Sequence, residues 1–288
     1  MKPAPFEWHG PERLEEVLAL LAEYGDDAKV LAGGQSLVPM LALRLTRFDH
    51  LVDVNRVEGL AGISRLDGWL RVGATTRHRV LERDPQVHEA VPLLARATPH
   101  VGHFQIRNRG TLGGAVAHAD PAAEHPAVAL ALDAVMEVSS VRGAREVAAR
   151  DFFEGTWATV LSPDEVLTGV RFPIRAERSG FAVEEVARRH GDFALVGVVC
   201  AVTAGAGAGD RLDRAALALF GVGGTPVRAT TAERALLEGA SLEEVGMAAA
   251  NEIDPVDDLH ASARYRRKVA GVLVQRALGR AIEEARRG

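Results

Sequence analysis

Two short stretches place a hydroxyl beside adjacent glycines: Ala32-Gly33-Gly34-Gln35-Ser36, and Thr111-Leu112-Gly113-Gly114-Ala115 some 80 residues later. Glycine admits positive φ and has no Cβ to keep a ligand away from the main chain, so both turns are suited to presenting backbone N–H groups to an anion. Ser36 stands where it caps a helix running from Leu37 to Arg44, which would add a helix N-terminus to the donors of the first turn. Arg107 and Arg109 precede the second turn with positive charge. Together the two turns suit a diphosphate held from both sides. Each pair alone also reads as an ordinary strand-to-helix turn, since glycine commonly punctuates elements.

Other motifs narrow the chemistry. Neither turn carries the dinucleotide fingerprint G-x-G-x-x-G, and no Walker lysine is present. Gly205-Ala-Gly-Ala-Gly209 reads as a connection between two strands. His118, Asp120, Glu124 and His125 are close in sequence but lack the regular presentation of metal ligands, so no metal site is assigned. Asp120-Pro121 reads instead as the start of a helix reaching Leu132. His100 and His103 read as loop or core histidines, and Asp192 as a turn residue.

The elements that must position these residues follow from pattern. Leu14, Val17, Leu18 and Leu21 make one apolar helix face opened by Gly10-Pro11 and closed at Gly25. A buried strand then enters the first turn from Lys29, and another follows at His50 to Val54. Asp67-Gly68 joins Ile63–Leu66 to Trp69–Val72 in a two-residue hairpin. Thr75 or Thr76 is expected to cap a helix through Leu81, and a further helix runs from Val87 to Ala97. From His100 to the second turn the pattern is that of a loop. Strands are expected at Glu165 to Phe172, Phe181 to Arg188, Ala194 to Thr203 and Arg214 to Phe220, followed by three helices from Ala229 onward, an α+β arrangement.

Composition sets the outer limits. The 288 residues are 47% hydrophobic and 25% charged with a net charge of −5, as in globular proteins of two or three cores. No apolar run is long enough to span a bilayer and the first residues lack a signal-peptide pattern, so a cytoplasmic location is expected. The acidic balance gives no reason to expect nucleic-acid binding, and the basic run Arg264 to Lys268 reads as a solvated helix face or partner contact. Cys200 is the only cysteine and lies in an apolar run. Four-cysteine iron–sulfur ligation within this chain is therefore excluded, and electron chemistry here requires an organic cofactor.

Ala-Gly-Gly-Gln-Ser at 32–36, Gln-Ile-Arg-Asn-Arg-Gly-Thr-Leu-Gly-Gly at 105–114 and His-Ala-Asp-Pro-Ala-Ala-Glu at 118–124 resemble the FAD-binding medium subunit of molybdenum hydroxylases. This group includes the aerobic carbon monoxide dehydrogenase medium subunit and the flavin domain of xanthine dehydrogenase. The resemblance extends through Arg188-Arg189-His-Gly-Asp-Phe-Ala-Leu to Ala263-Arg-Tyr-Arg-Arg. It implies an α+β flavin domain of the vanillyl-alcohol-oxidase (PCMH) type over residues 1–176, with subdomains of about 1–57 and 58–176. A smaller α+β carbon monoxide dehydrogenase flavoprotein-type domain would occupy 177–288.

The same resemblance implies FAD as cofactor. It assigns Val30, Leu31, Ala32, Gly33, Gly34, Gln35, Ser36 and Leu37, with Thr111, Leu112, Gly113, Gly114 and Ala115, to its pyrophosphate and ribityl portions. Glu124 would bond a cofactor hydroxyl where relatives often have aspartate. Val101, Leu167 and Phe193 would lie near the flavin ring, with core packing as the alternative for all three. The implied role is electron transfer, with no catalytic acid or base, between a [2Fe–2S] small subunit and an external acceptor. A molybdenum-cofactor large subunit would oxidise the substrate, and the assembly would be a dimer of heterotrimers. A stand-alone flavin oxidoreductase and a non-redox nucleotide-binding module are the alternatives.

Overall fold

The computed structural model describes residues 2–175, 178–205 and 211–287. The expected domain boundary at 176/177, and most of the Gly205 to Gly209 connection, lie outside them.

The first unit holds β1 (Glu7–His9), α1 (Leu14–Tyr24), β2 (Ala28–Leu31), α2 (Leu37–Ala42) and β3 (His50–Asp53). Its three strands are parallel in the order β1-β3-β2. Val17 and Leu21 of α1 pack with Ala28, Val52 and Val54 beneath this sheet, as the helical spacing requires. The helix starts later than Pro11: Glu16 reaches back to the N–H groups of Glu12 (3.1 Å) and Arg13 (3.4 Å), supplying the acceptors that its first turn lacks. Gly25, at φ +49°, ends it.

The second unit contains β4 (Ile63–Leu66), β5 (Trp69–Gly73), α3 (His78–Leu81), α4 (Pro85–Ala90), α5 (Pro92–Ala97), α6 (Phe104–Arg109), α7 (Leu112–His118) and α8 (Glu124–Ala131). It continues with β6 (Val135–Ser140), β7 (Gly143–Ala148), β8 (Phe153–Gly155), β9 (Ala158–Thr159) and β10 (Val166–Pro173). An antiparallel sheet in the order β4-β5-β10-β6-β7 is its frame, and buried Leu93, Leu94, Leu112 and Val116 share one core with its Leu70, Val72 and Met136. Asp67 and Gly68 both take positive φ, +45° and +82°, as the β4–β5 hairpin demands.

Several local expectations fail here for identifiable reasons. Neither Thr75 nor Thr76 caps α3, whose cap position is Arg77; the Thr76 hydroxyl bonds Gly62 instead. The single helix expected to Ala97 is two, because Pro92 cannot extend α4 and opens α5. Part of the loop expected after His100 is helical (α6). Asp120 closes a local turn onto Ala122 N–H at 2.9 Å, and α8 begins only at Glu124.

The last unit packs β11 (Ser179–Val186), β12 (Val196–Ala204), β13 (Leu212–Phe220) and β14 (Val227–Arg228) into one antiparallel sheet. Helices α9 (Thr230–Leu237), α10 (Leu242–Glu252) and α11 (Ala263–Arg287) back it. A Cβ on Gly180 would lie 2.8 Å from the Ala281 carbonyl carbon, so glycine lets α11 approach β11 closely. The basic run 264–268 is not simply a solvated face, since Arg266 is buried and donates to Leu195 O (2.5 Å), Gly221 O (3.0 Å) and Asp258 (2.5 Å). Arg228 donates to the Leu130 and Ala131 carbonyls at 2.8 and 3.2 Å, satisfying the end of α8 from the last unit.

Candidate functional site

Strand β2 carries Val30 and Leu31 into the first glycine turn, where Gly34 takes φ +72°. α2 begins at Leu37 with Ser36 in the cap position, but Ser36 is itself helical in conformation and its hydroxyl bonds no helix N–H. The expected side-chain cap is thus not made. Gln35 folds over the turn, its amide donating to Gly33 O at 3.0 Å. Among the described residues, the N–H groups of Gly33, Gly34, Gln35 and Ser36 find no acceptor. The turn opens on a cleft of about 430 Å³ lined by Leu31 to Gln35, Val38, Asp53, Asn55, Ile106 and Arg109.

The second turn meets the first. A Cβ on Gly33 would lie 2.5 Å from Arg109 O and 2.8 Å from Gly110 Cα, and one on Gly114 would lie 3.6 Å from Ala32 Cβ. Here, however, the donors are used internally: Leu112 N–H bonds Thr76 O (3.0 Å), Gly113 N–H bonds Ala74 O (2.8 Å) and Ala115 N–H bonds Thr111 O (3.0 Å). Thr111 caps α7 by accepting from Gly114 N–H at 3.1 Å. Its hydroxyl hydrogen remains able to donate. Gly113 is glycine for packing, since its Cβ would sit 2.7 Å from Ala74 Cα.

A side-chain bracket absent from the sequence reading fixes the two turns together. Asn55 donates to Ala32 O (2.8 Å) and Asp53 (2.6 Å), and accepts from Arg77 (2.6 Å). Arg77 in turn donates to Arg109 O. Burial beside Arg109 lowers the Arg77 pKa, yet an arginine keeps its charge through such a shift. Asn55 and Arg77 stand 22 residues apart, so no short motif signals this role.

Arg107 serves a different purpose from the anion-facing cation expected of it. It is buried and donates to Pro99 O (3.2 Å), Val101 O (3.3 Å) and Gly102 O (2.8 Å), with Glu82 as its ion-pair partner at 3.1 Å. This holds half-buried Val101 in a loop that lies against the last unit, where a Cβ on Gly191 would be 2.8 Å from the His103 ring. Two residues beyond, Phe193 is 72% exposed, so the core-packing alternative fails for it. Leu167 does lie in a core, on β10 opposite Val138.

Glu124 begins α8 in a buried position, where desolvation, with Glu185 adding to it, pushes its carboxyl up to about 8. Desolvation likewise raises Glu185 to about 7, and His100 Nδ1 lies 3.5 Å from its carboxylate. At neutral pH these carboxyls are thus partly protonated, and a neutral carboxyl can donate to a hydroxyl or carbonyl. Below the second turn, His78 and His125 meet edge-on at 4.6 Å, both buried with depressed pKa values, His78 at about 4. His118 stacks on Trp157 and His125 contacts Thr98, so the 118–125 group has separate partners.

The donor set fits a dinucleotide diphosphate: four unpaired N–H groups in a glycine turn and an arginine lining the same cleft. The comparisons with known proteins agree. Residues 4–175 match the FAD binding domain in molybdopterin dehydrogenase, and residues 181–281 match the CO dehydrogenase flavoprotein C-terminal domain. The chain is 40% identical to the 6-hydroxypseudooxynicotine dehydrogenase complex subunit alpha of Paenarthrobacter nicotinovorans, covering 99% of this chain and 97% of that one. It is similar in structure to carbon monoxide dehydrogenase from Hydrogenophaga pseudoflava, with TM-score 0.94, 39% identity and 99% of each chain covered. Quinoline 2-oxidoreductase from Pseudomonas putida 86 gives 0.93 and 38%, again over 99% of both chains. With both domains matched and the two glycine turns in contact, the chain belongs to the FAD-binding medium subunits of the molybdenum hydroxylases.

Proposed function

We propose that this chain holds FAD between its two glycine turns and carries electrons from an iron–sulfur partner subunit to an external acceptor. The observation that carries the reading is the meeting of Gly33 with the Arg109 carbonyl, which puts unpaired N–H groups and a cation on one cleft. The first turn, from Val30 to Leu37, would hold the pyrophosphate through its backbone. Thr111 would add a hydroxyl, and Leu112 to Ala115 would shape the opposite wall. Val101, Glu124, Leu167 and Phe193 are assigned to the ribityl and ring end, with the protonated Glu124 carboxyl donating to a cofactor oxygen.

FAD, when bound, supplies one- and two-electron redox chemistry that no side chain here provides. The chain's own part is to bind, orient and shield the cofactor. Cys200 is buried, with its thiol pushed up to about 12 by burial; it is no iron ligand, so the clusters of the relay belong to a second chain. A molybdenum-cofactor large subunit completes the proposed assembly, a dimer of heterotrimers. Domains of 1–176 and 177–288 and a cytoplasmic site of action complete the reading; among the described residues no helix is long and apolar enough to cross a membrane.

Co-purification from the native cell with flavin, iron and molybdenum analysis tests this directly. Stoichiometric flavin on this chain, with an iron–sulfur chain and a molybdenum chain alongside, is the expected result. A chain that purifies alone and turns over substrate unaided overturns the relay in favour of a stand-alone oxidoreductase.

A further inference from the structure

At the far side of the first unit, three metal-binding side chains converge on one face of the parallel sheet. Glu7 and His9 are two apart on β1 and so share a face, and the β1–β3 register sets Glu7 opposite His50. His9 Nε2 lies 3.1 Å from His50 Nδ1, and Glu7 Oε2 lies 3.7 Å from the same nitrogen. One ligand atom from each residue falls within 4.8 Å of the other two. Tyr24 of α1 stacks on the His50 ring at 3.8 Å and 9°, and lies 5.4 Å from the His9 ring. That fixes the imidazole by packing.

We infer that Glu7, His9 and His50 form a binding site for a divalent transition metal ion of the Zn²⁺ class. His50 Nδ1 faces both an imidazole nitrogen and a carboxylate, and a single proton on it serves only one of them. A cation between the three serves all. With metal–nitrogen bonds of about 2.0–2.1 Å, two ligands of a tetrahedral ion stand roughly 3.3 Å apart. The 3.1 Å imidazole pair is within a small adjustment of this, and the exposed Glu7 side chain is free to close the remaining distance. Two imidazoles and a carboxylate select zinc, nickel, cobalt or copper over magnesium and calcium, which prefer all-oxygen shells. Water would complete the coordination.

The site lies apart from the flavin cleft in its lining residues, and its ligands bridge the three-residue β1 to β3. A bound ion would therefore fasten the N-terminal strand to the sheet, a structural rather than catalytic role.

The test uses the full chain after chelator treatment, titrated with Zn²⁺ by calorimetry and with Co²⁺ by visible absorption. One equivalent binding at micromolar concentration or tighter is expected, together with slower amide exchange in β1. His9→Ala and His50→Gln should each weaken binding at least tenfold while flavin content stays unchanged. Glu7→Gln, at an exposed position that does not endanger folding, should weaken it several-fold. Binding no tighter than millimolar, or affinity unchanged in Glu7→Gln and in His9→Ala, overturns the assignment.

Discussion

The two glycine turns are spelled alike and built differently. In the first, Gly33 and Gly34 leave four consecutive N–H groups unpaired beside a cleft. In the second, Leu112, Gly113, Gly114 and Ala115 direct their N–H groups to Thr76, Ala74 and Thr111. Glycine is thus required for separate reasons: at Gly33 for the close approach of the Arg109–Gly110 backbone, at Gly34 for its positive φ, and at Gly113 to let helix α7 pack against Ala74. A hydroxyl and a Gly-Gly pair announce a turn, but only the neighbours decide whether its donors are free.

The sharpest way to break this contrast is Gly33→Val. Its Cβ must displace the Arg109 carbonyl and Gly110 Cα, both backbone, so the turns separate. Near-complete loss of bound flavin is expected, with a stability cost of about 3 kcal/mol or more, read by flavin absorbance and urea unfolding. Wild-type flavin content would remove the cleft from consideration. Gly34→Ala is milder. Its φ of +72° and a 3.0 Å contact with Val38 Cγ2 predict a stability cost of about 1–2 kcal/mol, with weakened flavin binding in a folded protein.

The buried carboxyl beyond the second turn offers a pH test. Because the folded Glu124 pKa, about 8, stands above its unfolded value, the native state binds more protons than the unfolded state between roughly pH 4.5 and 8. Its linkage therefore makes stability fall as pH rises through that window. His78 and His125 act oppositely: their depressed values make stability rise with pH, but only up to about 6.5. Between pH 6.5 and 8 the flavin-free chain should lose stability: Glu124 contributes a slope of up to about 1.4 kcal/mol per pH unit, and Glu185, raised to about 7, adds to it in the lower part of that window. Glu124→Gln should lessen the slope of the urea midpoint, most clearly between pH 7 and 8 where Glu185 contributes less; an unchanged slope there would show that Glu124 does not carry the proton. Thr111→Val should have the smallest effect, about 1 kcal/mol from the lost cap on Gly114. Thr111→Ser should restore it.

Much of the frame was readable in the chain. The Asp67-Gly68 hairpin, the apolar face of α1 and the burial of Cys200 all depend on neighbours within a few residues, and local pattern captures such effects. The errors share a different cause. Pro92 divides a stretch that reads as one helix, and Phe104–Arg109 becomes helical where polar, glycine-flanked sequence reads as loop. Arg107 reads as a surface cation, yet it is buried because three carbonyls of the 99–102 segment need a donor there. Phe193 reads as a neighbour of the flavin ring or as core, and its exposure removes the second reading.

For the site, the sequence by itself determined the materials: paired glycines, flanking hydroxyls and arginines, and a motif set that marks the family. Those are properties of composition and short spacing. The tertiary structure decided that Gly33 lies against Arg109, that Asn55 and Arg77 brace the junction, and which N–H groups stay unpaired. Each of these depends on chain segments more than 20 residues apart meeting in space, and whether a backbone donor is free is settled only when every possible acceptor has been placed.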